Sequence, residues 1–292
     1  MDIVRHDVGG GPDVKPARFA YHAPTSAREA IALLAEHGDQ ARLLAGGQTL
    51  MPLMASRKIR DRQMIDLNRV SELSFVTRTE SWLRIGALTR LRHVENDPAV
   101  RAVAPLLSTA TALSGPVQVR NRATVGGTLA YADPAAEYPA VAVALGARVE
   151  LRGDRVRHLP AVEFFLGAHE TALSDTELLA AVEFPPWSEP LAFAIEKIAQ
   201  RSAGLALAGT VVVLGADTGR LVLFGVAPTP VRSAEAEAAL VRGATPDEVA
   251  DAAVAGLEPP DAQGIRGATR RALARGAIAR AVATARNRVT HA

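Results

Sequence analysis

Apolar positions along this chain switch repeatedly between the spacing of strands and the spacing of helices. Phe19 and Tyr21, ahead of Ala23-Pro24, mark a short strand, and Thr25-Ser26 offers an N-cap for a helix over residues 27–37. Ile31, Leu33 and Leu34 are its apolar stripe and Gly38 its stop. Residues 41–45 read as a strand, 50–54 as a helix, 64–67 as a compact strand, and 70–73 close a first unit. Strand signals return at 74–76 and 82–85, and GALTR (86–90) turns the chain. A helix over 91–96 ends near Asp97-Pro98. Residues 100–113, apolar almost throughout, predict one buried helix with Pro105 in its first turns, broken by Gly115-Pro116.

Residues 138–145 predict an Ala-rich helix starting near Pro139, with Glu137 in or near its first turn. A hairpin of 148–152 and 155–158 turns at Gly153-Asp154, residues 163–167 read as a helical turn, and 177–184 as a strand. Pro185-Pro186 stops that strand and is the sharpest boundary in the chain. Beyond it, 192–198, 205–214 and 221–226 predict a three-stranded meander with Gly219 in its second hairpin. Helices over 233–240, 245–255 and 264–288 follow, the last with its arginines facing solvent or a partner. These patterns divide the chain into a flexible lead-in (1–16), two α/β units (17–73 and 74–186) and a final α+β unit (187–292).

Composition narrows the function. With 33 Lys and Arg against 31 Asp and Glu, the net charge of +2 gives no reason to expect nucleic acid, and the cluster Arg57, Lys58, Arg60 and Arg62 reads as a solvated loop, with contact to phosphate or a partner as the alternative. No cysteine occurs, so the chain supplies no thiolate nucleophile, disulfide or Cys-ligated cluster. The first sixteen residues lack an apolar signal region and no apolar run is long enough to span a bilayer, which makes a cytoplasmic protein the expectation. The seven histidines show no metal-ligand spacing.

Two glycine pairs carry the candidate chemistry: Leu44, Ala45, Gly46, Gly47, Gln48, Thr49 and Leu50 in the first loop, and Thr124, Val125, Gly126, Gly127 and Thr128 in the second. Paired glycines beside small hydroxyl residues let a backbone approach a ligand and turn its N–H groups outward, as phosphate binding requires. Neither pair has the GxGxxG or Walker spacing, so a nucleotide would be held by some fold other than the doubly wound sheet. Asp133 and Glu137 follow the second pair. Pro134 intervenes and no histidine joins them, so hydrogen bonding to ribose or ribityl hydroxyls suits them better than metal ligation.

Taken together, AGGQTLMPLM, IDLNRV, GALTR and QVRNRATVGGTLAYADPAAEYPA resemble the FAD-binding medium subunit of molybdenum hydroxylases, the xanthine dehydrogenase and carbon monoxide dehydrogenase superfamily. The resemblance implies an α+β chain. Two α/β subdomains of the vanillyl-alcohol-oxidase (PCMH) FAD-binding type (17–73 and 74–186) precede a C-terminal flavoprotein domain (187–292) with a three-stranded antiparallel sheet and helices. By motif position, 44–50 would wrap the pyrophosphate, Thr124 to Thr128 would form a second wall, and Glu137 stands where relatives have a cofactor-binding acid. Gly115, Leu179 and Lys197 are weaker carry-overs. Leu205 stands about where many relatives place an aromatic against the flavin, and the absence of histidine in AGGQT implies noncovalent FAD.

The resemblance further implies electron relay, with no substrate chemistry in this chain. A large molybdopterin subunit oxidises the substrate, a small subunit with [2Fe-2S] clusters passes electrons, and FAD here delivers them to quinone, oxygen or NAD, in a dimer of heterotrimers. The alternatives are a free-standing FAD-dependent oxidoreductase acting on a small organic substrate, and an assembly subunit without flavin.

Overall fold

The computed structural model describes residues 15–186, 191–201 and 203–289. Residues 1–14 of the expected lead-in, and His6 and His291, lie outside the described residues.

The first unit contains β1 (Ala20–His22), α1 (Ala27–His37), β2 (Ala41–Leu44), α2 (Leu50–Ala55) and β3 (Gln63–Asp66). Its three strands are parallel in the order β1-β3-β2. Parallel strands need crossover connections: α1 carries the chain from β1 to β2 at the other edge, and the stretch with α2 brings it back to β3 between them. Ser26 caps α1 through its hydroxyl to the Glu29 N–H, and Gly38 ends it at φ +54°. Ala30 and Leu34 then pack on Ile65 and Leu67.

The second unit runs through β4 (Val76–Arg78), β5 (Leu83–Gly86), α3 (Leu91–Asn96), α4 (Pro98–Val103), α5 (Pro105–Leu113), α6 (Val117–Arg120), α7 (Val125–Tyr131) and α8 (Glu137–Ala144). It continues through β6 (Arg148–Arg152), β7 (Val156–Pro160), α9 (Ala161–Phe164), β8 (Phe165–Gly167), β9 (Glu170–Thr171) and β10 (Leu178–Phe184). Five strands make an antiparallel sheet ordered β4-β5-β10-β6-β7, with β8 and β9 as a separate hairpin. Two expectations are corrected here. Residues 100–113 are not one helix: Pro105 lacks an N–H and forces Ala104 out of the helical region, to φ −135° and ψ 62°, so α4 ends and α5 begins anew. The helical turn expected at 163–167 ends at Phe164, because Phe165 pairs with Thr171.

The last unit holds β11 (Ala192–Ala199), β12 (Ala206–Leu214), β13 (Gly219–Phe224), β14 (Val231–Arg232), α10 (Ala234–Val241), α11 (Pro246–Val254) and α12 (Gly267–Val289). The meander has four strands, not three, since Arg232 and Val231 pair with Val222 and Leu223, and Gly219 lies inside β13 opposite Leu214. One face of this sheet packs on α10, α11 and α12. The other shares a core with the second unit through Val211, Val213, Val222 and Phe224. Helix α8 lies between, with every residue from Glu137 to Ala144 buried, so it carries no solvent stripe. The arginine face expected of α12 is interrupted by Arg270, 5% exposed and donating to the Leu207, Pro260 and Gly225 carbonyls.

Candidate functional site

Where the three units meet, a cleft of about 770 Å³ opens, of a size that takes one organic ligand. Ala45, Gly46, Gly47, Gln48, Thr49 and Leu50 line it from the first unit. Gly115, Thr124, Gly126, Gly127, Thr128, Asp133, Glu137 and Leu179 line it from the second, and Leu205 from the stretch before β12. Three expected residues fall outside the lining. Leu44 ends β2, Val125 is fully buried at the start of α7, and Lys197 meets the wall through Glu137.

The two glycine pairs do different jobs. The N–H groups of Gly46, Gly47, Gln48 and Thr49 donate to no acceptor among the described residues, and Gly47 holds φ +73°, which a β-carbon would strain. The second pair is not a loop but the start of α7. Thr124 Oγ1 accepts from the Gly127 N–H at 3.1 Å, while the Val125, Gly126 and Thr128 N–H groups donate to the Thr89, Ala87 and Thr124 carbonyls. None of these N–H groups is turned toward a ligand, which corrects the sequence expectation. Gly126 serves packing, because a β-carbon there would lie 2.5 Å from Ala87 Cβ. Gly46 serves contact between the two segments, because its β-carbon would lie 2.4 Å from the Arg122 carbonyl oxygen.

Glu137, 6% exposed, does not offer a bare carboxylate. Lys197 Nζ lies 2.5 Å from its Oε1 and also donates to the Leu113 carbonyl at 2.8 Å, and the Ser114 hydroxyl lies 3.0 Å from Oε2. Asp133 uses Oδ1 to accept from the Ala135 N–H at 2.9 Å. Its Oδ2 accepts no hydrogen bond among the described residues.

The hairpin of β8 and β9 and the chain beyond it contribute His169, Glu170, Thr171, Ser174, Asp175 and Glu177, none singled out as a site residue from sequence. Tyr131, at the end of α7, lies tilted by 40° against His169 with ring centroids 4.5 Å apart, and burial followed by the Asp133 charge raises its phenol pKa. Hydrogen bonds from Arg157 hold the Glu177 carboxyl at about 2, against its burial. No signal in the sequence marks this wall, since its residues reach the cleft through strand pairing and not through a motif.

Among the described residues, one group with metal-ligand atoms lies elsewhere. Glu150, His158 and Glu183 bring theirs within 4.8 Å on the sheet. Arg84, Arg148 and Arg152 occupy the carboxylate oxygens, and three guanidinium groups oppose a cation there.

Residues 17–187 match the family model described as the FAD binding domain in molybdopterin dehydrogenase. The carbon monoxide dehydrogenase medium chain of Hydrogenophaga pseudoflava is 37% identical over 262 residues, covering 86% of this chain and 91% of that one. Caffeine dehydrogenase subunit beta of Pseudomonas sp. (strain CBB1) is 40% identical over 228 residues, covering 75% and 77%. A solved structure of the H. pseudoflava carbon monoxide dehydrogenase, in a form lacking the Mo-pyranopterin moiety, superimposes with a TM-score of 0.89 at 37% identity over 94% of this chain and 99% of that one.

Proposed function

The chain belongs to the family of FAD-binding domains of molybdopterin dehydrogenases, and we propose that it is the electron-transfer subunit of a heteromeric molybdenum hydroxylase. In this reading it takes electrons from an iron–sulfur partner and passes them to an external acceptor. The observation that carries the cofactor assignment is the set of four successive N–H groups, Gly46 to Thr49, that lack acceptors at the wall of a cleft of about 770 Å³. A diphosphate is the part of FAD that needs such donors. The residues fit the group: the Gly46 to Thr49 N–H groups are unspent on the described residues, Asp133 keeps an acceptor for a sugar hydroxyl, and Leu179 and Leu205 add apolar wall.

Bound FAD supplies reversible uptake and release of two electrons. The protein's part is to hold it and to pair two of the carboxylates in its wall. Glu137 and Lys197 cancel each other at 2.5 Å, and Glu177 is cancelled by Arg157. We assign Ala45 to Leu50 to the pyrophosphate, Thr124 and Gly126 to Thr128 to the facing wall, Asp133 to the sugar, and Gly115, Glu137 and Leu179 to the remainder of the cofactor, with Lys197 acting through Glu137. The division into two FAD-binding subdomains (17–73 and 74–186) and a C-terminal domain (187–292) belongs to the same proposal, each span carrying one main sheet.

Electrons need a donor on another chain. With no cysteine here, thiolate-held clusters must sit on a small iron–sulfur subunit, and a large molybdopterin subunit completes the assembly as a dimer of heterotrimers. Relatives named for carbon monoxide and for caffeine resemble this chain to similar degrees, 37% and 40%, so substrate choice lies with the large subunit. Quinone, oxygen or NAD is the acceptor, and the complex works in the cytoplasm. No helix among the described residues is long and apolar enough to cross a membrane.

Affinity purification from the native host, with a visible spectrum and identification of copurifying chains, tests the reading. Noncovalent FAD, iron–sulfur absorbance and two partners are expected. A solitary yellow chain turning over an organic substrate would place the chemistry here instead, and a colourless chain would remove the cofactor.

A further inference from the structure

The first glycine loop must be held at a fixed distance from the start of α7, and the side chains that hold it are neither glycines nor cleft-lining residues. Asn68 follows β3 and uses all of its amide. Its Nδ2 donates to the Ala45 carbonyl at 2.9 Å and to Asp66 Oδ1 at 2.5 Å, and its Oδ1 accepts from Arg90 Nη2 at 2.6 Å. A flipped amide would set an NH₂ against the guanidinium, so these partners fix its orientation. Arg90 ends GALTR, and its Nη1 donates at 2.5 Å to the Arg122 carbonyl. That is the oxygen which a β-carbon on Gly46 would meet at 2.4 Å. Arg90 and Thr124 also form a β-bridge, and the Leu91 N–H donates to the Ala123 carbonyl at 2.9 Å.

The bonds make a continuous path from Ala45 through Asn68 and Arg90 to Arg122, which touches Gly46 again. Asp66 anchors it. Although burial opposes its ionisation, the Tyr21 hydroxyl at 2.6 Å and the Asn68 N–H groups hold its carboxyl below the usual range. Burial and the neighbouring Arg122 charge lower the Arg90 pKa in turn, an unfavourable pairing of cations that a nearby anion relieves.

We propose that Asn68 and Arg90 form a bridge that sets the spacing between the first glycine loop and the start of α7, and so positions the Gly46 to Thr49 amides for the diphosphate of the cofactor. Both are positioning residues, and the inference rests on the cofactor reading above. Arg90 is suited to it because a guanidinium can donate to two acceptors in fixed directions, which an ammonium cannot do in the same geometry.

The test uses the full chain freed of flavin, with FAD binding followed by flavin fluorescence and ADP, which carries the diphosphate without the isoalloxazine, as competitor. Asn68→Ala and Arg90→Met are each expected to weaken FAD and ADP in parallel by about tenfold or more, the worth of a hydrogen bond to a charged group. The double variant should lose little beyond the worse single variant, because both cut one path. Arg90→Lys keeps the charge and remains the decisive variant should Arg90→Met fail to fold. It should stay weakened by at least about threefold, since only one of two bonds survives.

Three results overturn the bridge: folded variants that bind FAD within twofold of the wild type, a double variant whose loss is the product of the single losses, or Arg90→Lys that binds as the wild type does. Failure of the wild type to bind FAD would sink the cofactor reading itself. Binding by the wild type with unaltered variants would sink the bridge alone.

Discussion

Glu137 and Lys197 lie 60 positions apart in the chain and 2.5 Å apart in the fold, with side chains 8% and 6% exposed. At that burial an ion pair adds little net stability, but breaking it strands a charge. Lys197→Met is therefore expected to cost about 3–5 kcal/mol in urea denaturation, and a second change, Glu137→Gln, should recover part of the loss by removing the orphaned carboxylate. A pair on the protein surface would give less than about 1 kcal/mol in the same experiment. Each residue is visible in the sequence as an unremarkable charge, and family resemblance singled out both. Their neutralisation of each other is not legible there, since nothing in IEKIAQR names a partner 60 residues upstream.

Among elements, α7 shows how a motif can be seen and misread. TVGGT reads as a loop from its glycines, yet Thr124 caps a helix whose first N–H groups are all spent on the protein. Composition cannot distinguish a glycine that frees a backbone for a ligand from one that admits Ala87 within contact. The segment between β9 and β10 was opaque for a related reason. Its hold on the fold is Arg157 of β7, whose guanidinium reaches Glu177 at 2.7 Å. Because the Glu177 carboxyl sits at about 2 in the fold, below its ordinary 4.5, its pairing stabilises the native state fully above about pH 4.5 and is lost as the pH falls toward 2. Arg157→Met should accordingly lower stability by about 1–2 kcal/mol at about pH 6, allowing for the water around Arg157, and the deficit should shrink toward zero in denaturation curves taken near pH 2 to 3.

Across the whole molecule, the last unit is tied to the cleft by backbone. Gly225 N–H donates to the Pro134 carbonyl at 2.7 Å and Ala206 N–H to the Ala135 carbonyl, so the loop bearing Asp133 hangs from the ends of β12 and β13. Arg270 of α12 secures those same ends through Leu207 and Gly225. Arg270→Met is expected to lower global stability by about 2–4 kcal/mol, from carbonyls left without a charged donor, and to weaken FAD binding with it. Calorimetry and flavin fluorescence on one preparation would check both. Unaltered FAD affinity in a destabilised variant would mean that the last unit stands apart from the site.

The sequence alone carried the alternation of elements, the break at Pro185-Pro186 and the long motifs of the FAD-binding medium subunit. These are local: periodicity, proline and glycine placement, and runs of residues that a family shares. Only the tertiary structure decided which amides the described residues leave unbonded, that α8 is buried on every side, and that Asn68 and Arg90 join segments brought together from four parts of the chain. Hydrogen-bond satisfaction and burial are properties of neighbours in space. The residues at 45, 68, 90 and 122 become neighbours only once the chain has folded.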